Sequence, residues 1–183
     1  KINTRGTANV VNLCLSNSVE KLCYVSTIGT IGKRLNGAMA TEETEWIEAD
    51  ANVYALTKYA AEMEVWRGSQ EGLTVVMTNP GIIIGPSVWN QGSGALFTTA
   101  NRGLNYYPPG GTGFISVNDV VKMMIQLMES SIKNERYIAV AENLTYHEIL
   151  KRITKELGKN PPKKQLKFWQ LEVFRFADSV WCA

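Results

Sequence analysis

The chain has 183 residues, with 19 Lys+Arg against 17 Asp+Glu and a formal net charge of +2. This near-balance supplies no electrostatic drive toward nucleic acid or a polybasic membrane patch, and 45% hydrophobic residues with 20% charged is the composition of a globular domain. No apolar run reaches the roughly 18 residues of a membrane span.

Residues 4 to 16 place Val10, Leu13 and Cys14 at helical spacing, and Asn17 is the expected stop. Leu22-Cys-Tyr-Val25 is a short β-rich run, predicted as a buried strand ending at Ser26-Thr27. A polar, Gly-containing stretch follows to about Asn52, and its acidic Thr41–Glu45 run reads as solvated loop. From Ala55 to Arg67 the residues Leu56, Tyr59, Ala60, Met63 and Trp66 predict a helix, ended by Gly68 or Gly72. Leu73–Thr78 predicts a strand, terminated by Asn79-Pro80-Gly81. Strand, helix, strand is a βαβ unit, and with it an α/β fold with a parallel sheet.

Beyond Pro86 the pattern changes. Trp89–Gly94 reads as loop, Ala95–Arg102 as helix and Tyr106–Gly113 as a Pro/Gly turn region. Asn118–Glu129 predicts a helix with a broad apolar face built on Val120, Val121, Met124, Ile125 and Met128. Tyr137–Val140 predicts a strand. Thr145-Tyr-His-Glu148 has the capping-box form and opens a helix closed by Gly158. Lys159–Lys164, with Pro161-Pro162, reads as a turn before a last aromatic helix candidate. The expected division is 1–86, a sheet-forming part, and 87–183, a smaller mixed part, with room for the segments to interleave.

Cys14, Cys23 and Cys182 form no CxxC pair, and the single His147 completes no His/Cys cluster, so no metal site is expected. The odd, scattered thiols point to a reducing, cytoplasmic setting. The chain starts at Lys1 without Met or a signal segment, and it reads as the C-terminal piece of a longer protein.

Tyr54-Ala-Leu-Thr-Lys58 is the informative constellation. Four residues apart on a helix, the phenol and the ammonium share one face. With 7 Tyr and 12 Lys in 183 residues, about 0.5 such pairs arise by chance, so position decides. The pair stands between a strand ending in Ser26-Thr27 and one ending in Asn79-Pro80-Gly81, and open parallel sheets bind ligands beyond their strand ends.

The ordered motifs Asn3-Thr-Arg-Gly6-Thr7, Lys21–Thr27, Tyr54–Glu62, Asn79–Pro86 and Gly113–Val121 resemble the extended short-chain dehydrogenase/reductase family. The likeness is to its epimerase and dihydroflavonol-reductase-like branches. It runs over about Ile2–Gly158 and implies part of a Rossmann-like doubly wound parallel sheet plus a small mixed α/β substrate-binding part.

The resemblance implies an NAD(P)-dependent oxidoreductase acting on a small-molecule carbinol or ketone. Tyr54 becomes the general acid/base, Lys58 the group that bonds the nicotinamide ribose and favours the ionised phenol, and Thr27 the hydroxyl that bonds the reacting oxygen. Ser26 points to the other face of the strand. Pro80, Gly81, Ile82 and Ile83 are expected along the nicotinamide of NAD or NADP. Asn3, Asn79, Trp89 and Phe97 are expected on the substrate side.

A nucleotide-sugar epimerase uses the same three groups, and a non-catalytic NAD(P)-binding regulator is a further alternative. Dehydratases of this family follow the Thr with Asp-Glu, where this chain has Ile28-Gly29. The family's glycine-rich fingerprint is expected before Lys1. Gly110-Gly-Thr-Gly113 is not that fingerprint, because it follows Pro108-Pro109 and lies after Tyr54. A homodimer is expected by family analogy.

Overall fold

The computed structural model describes residues 2–34, 38–86, 89, 91–167 and 169–170. They form two compact units: the described residues within 1–81 and 115–140, and those within 82–114 and from 141 to 170. Ile115–Val140 therefore returns to the first unit, where the sequence division at residue 86 had put it in the second.

In the first unit, helix α1 (Ile2–Ser16) leads into strand β1 (Lys21–Val25), and helix α2 (Val53–Gln70) into strand β2 (Thr74–Pro80). β1 pairs parallel with β2 from Lys21↔Thr74 to Val25↔Thr78. The other edge of β2 takes β6 (Glu135–Ala139), also parallel, from Val76↔Glu135 to Pro80↔Ala139. The sheet order is β1-β2-β6.

β2 is central, and Val75 to Pro80 are all buried. Both α2 and α4 (Val117–Glu129) pack against it. Covering on two faces explains its continuous apolar run, as in other parallel sheets. Val11, Val65, Leu73, Val75 and Met77 form the core between α1, α2 and the sheet. Lys21 ties the start of β1 to the end of α4 by donating to the carbonyls of Leu127 and Ser130.

Three expectations need correction here. β2 does not stop at Thr78: Asn79 and Pro80 still pair with β6, because a parallel neighbour accepts from the strand's other groups even where Pro lacks an N–H. The buried positions of α2 are Ala55, Ala61, Glu62, Val65 and Gly68, while Met63 is exposed; α1 and the strand ends fix the helix rotation, and they take a glutamate inward. On α4, Val120 and Leu127 are buried but Val121, Ile125 and Met128 are exposed.

The second unit holds β3 (Ile82–Ile84), α3 (Gly94–Arg102), β4 (Tyr106–Tyr107), β5 (Gly111–Ser116) as far as Phe114, β7 (Glu142–Thr145), α5 (Tyr146–Glu156) and β8 (Lys164–Gln165). Its sheet order is β3-β5-β7, with β5 and β7 antiparallel from Gly111↔Thr145 to Phe114↔Glu142. β4 pairs with β8.

The Gly-rich stretch expected as turn and loop thus contains a strand. Its partner β7 approaches so closely that a Cβ at Gly111 would fall on the Leu144 carbonyl. Ala100, Phe114, Leu144, Ile149, Leu150 and Ile153 form this unit's core, against which Ile82, Ile84 and Phe97 pack. The capping box forms as read: Thr145 caps α5 and Glu148 reaches back to it. The last aromatic helix candidate lies largely outside the described residues.

Candidate active site

Asn52 caps α2 by accepting from the Ala55 N–H at 2.8 Å, so Tyr54 sits in the first turn. It is 58% exposed, and among the described residues its hydroxyl has no hydrogen-bond partner. One turn on, the Lys58 ammonium donates to the Val25 carbonyl at 2.9 Å and to the Tyr24 hydroxyl at 3.2 Å. Lys58 is thereby held at the C-terminal end of β1, two residues before Thr27.

Thr27 begins a single 3-10 turn, Ile28–Thr30, and its hydroxyl accepts from the Gly29 N–H at 3.3 Å. A Cβ at Gly29 would meet Ala55 Cβ and Thr27 Cγ2, each at 3.5 Å. The Thr27 turn therefore abuts the first turn of α2 beside Tyr54. Because the Thr27 oxygen already accepts internally, its own proton remains available to a ligand oxygen.

Behind this surface lies a buried polar group that the sequence reading did not single out. Glu62 is fully buried and accepts from Ser26 Oγ at 2.6 Å, Thr30 Oγ1 at 2.7 Å and Asn79 Nδ2 at 3.1 Å. Its second oxygen accepts from Arg136 Nη1 at 2.9 Å. The available signal was spacing: Tyr54, Lys58 and Glu62 continue one i, i+4 row.

Asn79 needs a second correction. It is wholly buried, and its amide nitrogen also donates to Thr30 Oγ1 at 2.9 Å and to the Thr27 carbonyl at 3.2 Å. A side chain committed to three internal acceptors is part of the support, where a substrate contact was expected. Its Oδ1 and the Thr78 hydroxyl are buried without a partner among the described residues.

The acidic run is also not a free loop. The Glu42 carboxylate accepts from the Ile138 N–H of β6 at 2.8 Å, and its carbonyl accepts from Arg136 Nε at 3.1 Å and from Nη2. Thr44 is buried, and a Cβ at Gly32 would fall on the Glu45 carbonyl, so this segment lies tightly against the Gly29–Gly32 chain. Trp46 follows, donating from Nε1 to the Gly29 carbonyl at 3.2 Å and stacking on Tyr59 at 3.8 Å. Next to it is a recess of about 110 Å³ lined by Gly29, Ile31, Trp46, Ile47, Asn52 and Ala55.

The remaining expected residues are distributed more widely. Asn3 is exposed and donates to Thr57 Oγ1 at 3.2 Å. The Gly81 N–H is spent on the Ala139 carbonyl at 3.1 Å, and Pro80 has none, so neither offers an N–H to a carboxamide. Ile82 and Ile83 belong to β3 of the second unit. There Trp89 meets Phe97 edge-on at 5.7 Å, and its carbonyl accepts from Thr98 Oγ1 at 3.0 Å.

Among the described residues, no group of three or more His, Cys, Asp or Glu is placed to hold a metal, and no helix is long and apolar enough to cross a membrane.

An NAD-binding family model described as "Male sterility protein" matches residues 1–106. A putative dihydroflavonol 4-reductase of Synechocystis sp. is 26% identical over 91% of this chain and 51% of its own length. Cinnamoyl-CoA reductase CAD2 of Medicago truncatula is 30% identical over 84% of this chain and 50% of its own. The chain thus spans about half the length of these curated relatives.

The solved dTDP-glucose 4,6-dehydratase of Bacillus anthracis, in complex with NAD, superposes with a TM-score of 0.76 at 20% identity, over 90% of this chain and 56% of that one, a likeness of fold. With more than half of its residues matched by the family model, the chain belongs to the NAD-binding, extended short-chain dehydrogenase/reductase family.

Proposed function

We propose that the protein is an NAD(P)-dependent reductase that interconverts a ketone and an alcohol on a small, weakly charged substrate through Tyr54, Lys58 and Thr27. The observation that carries this is the placement of the Lys58 ammonium at the end of β1, one turn from Tyr54 and two residues from Thr27.

The donor set fits a nicotinamide nucleotide. An ammonium has three protons, and Lys58 commits two, to Val25 and Tyr24, which leaves one for a ribose hydroxyl. When bound, the cofactor supplies or accepts the hydride. The protein's part is proton transfer and orientation. In the reductive direction Tyr54 gives its phenolic proton to the oxygen of the carbonyl being reduced, and in reverse it takes that proton back. Lys58 stabilises the resulting phenolate by charge. Thr27 donates its hydroxyl proton to the same oxygen and so fixes its position. The recess beside Trp46, walled by Ile31, Ile47 and Ala55, supports an apolar substituent on the substrate.

The test is turnover of a panel of aromatic and aliphatic ketones, aldehydes and nucleotide sugars by the whole protein, with NADH and with NADPH. Reduction of uncharged carbonyl compounds is expected. Turnover confined to nucleotide-diphosphate sugars would replace this reading with an epimerase.

A further inference from the structure

Glu62 joins α2 to the ends of all three strands of the first sheet. Ser26 follows β1, Asn79 lies in β2, Arg136 lies in β6, and the carboxylate touches each of them. Around it the Thr30 hydroxyl has two acceptors in range, Glu62 Oε2 at 2.7 Å and the Thr27 carbonyl at 2.8 Å, and the charge on Glu62 decides between them.

A carboxylate paired with Arg136 can only accept, and as a charged acceptor it draws the Ser26 proton at 2.6 Å and outcompetes the neutral Thr27 carbonyl for the Thr30 proton. Thr30 Oγ1 then has lone pairs for Asn79 Nδ2 at 2.9 Å. The other amide proton of Asn79 is shared between Glu62 Oε2 at 3.1 Å and the Thr27 carbonyl at 3.2 Å, which also accepts the Thr30 N–H at 3.1 Å. The charge on Glu62 therefore sets the direction of each bond down to the peptide of Thr27. Reversing the Asn79 amide would set its oxygen against the carboxylate and that carbonyl, so its orientation follows too.

We propose that Glu62 is a positioning residue: through Thr30 and Asn79 it fixes the Thr27 peptide, and hence the direction in which the Thr27 hydroxyl meets the reacting oxygen. The proposal rests on the reading of Thr27 as the group that bonds that oxygen. It concerns orientation of a donor, so it acts on the chemical step and leaves the Lys58 contacts to Val25 and Tyr24 as they are. In Glu62→Gln the amide must turn its oxygen to Arg136 and its NH₂ to the hydroxyls. The Thr30 proton is then driven onto the Thr27 carbonyl, and Asn79 faces another donor.

The experiment is a double-mutant cycle on turnover in the whole protein, with cofactor affinity measured alongside by fluorescence titration. Glu62→Gln is expected to lower kcat about tenfold or more with cofactor affinity held within about threefold, and Glu62→Asp, which keeps the charge, to recover part of the loss. In a Thr27→Ala background, Glu62→Gln should cost little further, because the group it orients is gone. Equal proportional losses in both backgrounds, an unchanged kcat, or a loss residing only in cofactor affinity would overturn the proposal.

Should Glu62→Gln fail to fold, the near-isosteric Thr30→Val breaks the same chain of bonds without stranding a charge, and the same non-additivity with Thr27→Ala decides. A Thr27→Ala variant of full activity removes the assignment of Thr27 and this proposal with it. Full activity in Tyr54→Phe removes the enzymatic reading separately.

Discussion

The ammonium of Lys58 lies 4.7 Å from the centroid of the Tyr24 ring while donating to that ring's own hydroxyl. Tyr24 thus offers both a π-face and an acceptor to one cation, the former worth about 0.5–1 kcal/mol at a partly exposed site. Tyr24→Phe keeps the ring and removes the acceptor. It is expected to lower kcat/KM severalfold with little change in melting temperature. Lys58→Met should reduce both cofactor affinity and kcat, read by titration and steady-state kinetics.

Tyr54 is open to solvent and packs against little, so Tyr54→Phe should leave the fold intact. As the loss of a general acid/base, it is expected to cut turnover by roughly 10²–10⁴, read by steady-state kinetics. Thr27→Ala should cost less, since proton transfer survives the loss of one hydrogen bond.

Arg136 is the counter-charge of a fully buried carboxylate and also holds the Glu42 carbonyl. Arg136→Met strands that charge, and removing one partner of a buried pair costs about 3–5 kcal/mol. Urea unfolding of the variant should show the loss as a lower midpoint. A midpoint equal to wild type would mean that Glu62 finds another partner.

Gly68 lets α1 cross α2 closely. A Cβ there would lie 2.7 Å from Val11 Cγ1, a residue with no solvent exposure. Gly68→Ala should gain helix propensity yet destabilise on balance, by about 1–3 kcal/mol of overpacking. Thermal melting against a Gly68→Ala/Val11→Ala double variant separates the clash from other effects.

The α5 cap carries a pH dependence. The Thr145 hydroxyl and then the Thr145 N–H hold the Glu148 carboxyl below its ordinary value of 4.5. A carboxyl depressed in the folded state binds fewer protons there than in the unfolded chain, so its stabilisation is complete above 4.5 and is lost as pH falls. Glu148→Gln should melt lower than wild type at neutral pH, and the gap should close as the pH is taken below 4.5.

Local chemistry made the first unit's βαβ segment readable. An unbroken apolar run marks a strand buried on both faces, the i, i+4 row marks α2, and Thr145-x-x-Glu148 marks the start of α5. β5 was hidden because glycines beside Pro108-Pro109 look like a turn until a partner strand explains them; Gly111 is small because β7 needs the room. Glu62 was hidden because a helix position predicts a glutamate at the surface, and distant Arg136, with Ser26, Thr30 and Asn79, makes burial tolerable. Thr27, Tyr54 and Lys58 could be nominated from spacing and resemblance, whereas the hydrogen bonds that aim Thr27 come from residues up to 109 positions apart, Thr27 to Arg136, and no local pattern records them.

The sheet order β1-β2-β6 also sets a timetable for synthesis. β2 leaves the ribosome with β1 already available on one side, but β6 is encoded some 55 residues after Pro80. At about 5–20 residues per second, the second edge of the most apolar strand waits roughly 3–11 s for its neighbour, while the second unit's first segment is being made. During that interval Glu62 has no Arg136, so the nascent first unit holds an unpaired carboxylate beside an open strand. Chaperone capture and premature association are most probable there, and a translational pause placed before Glu135 should lower the soluble yield more than the same pause placed after Ala139.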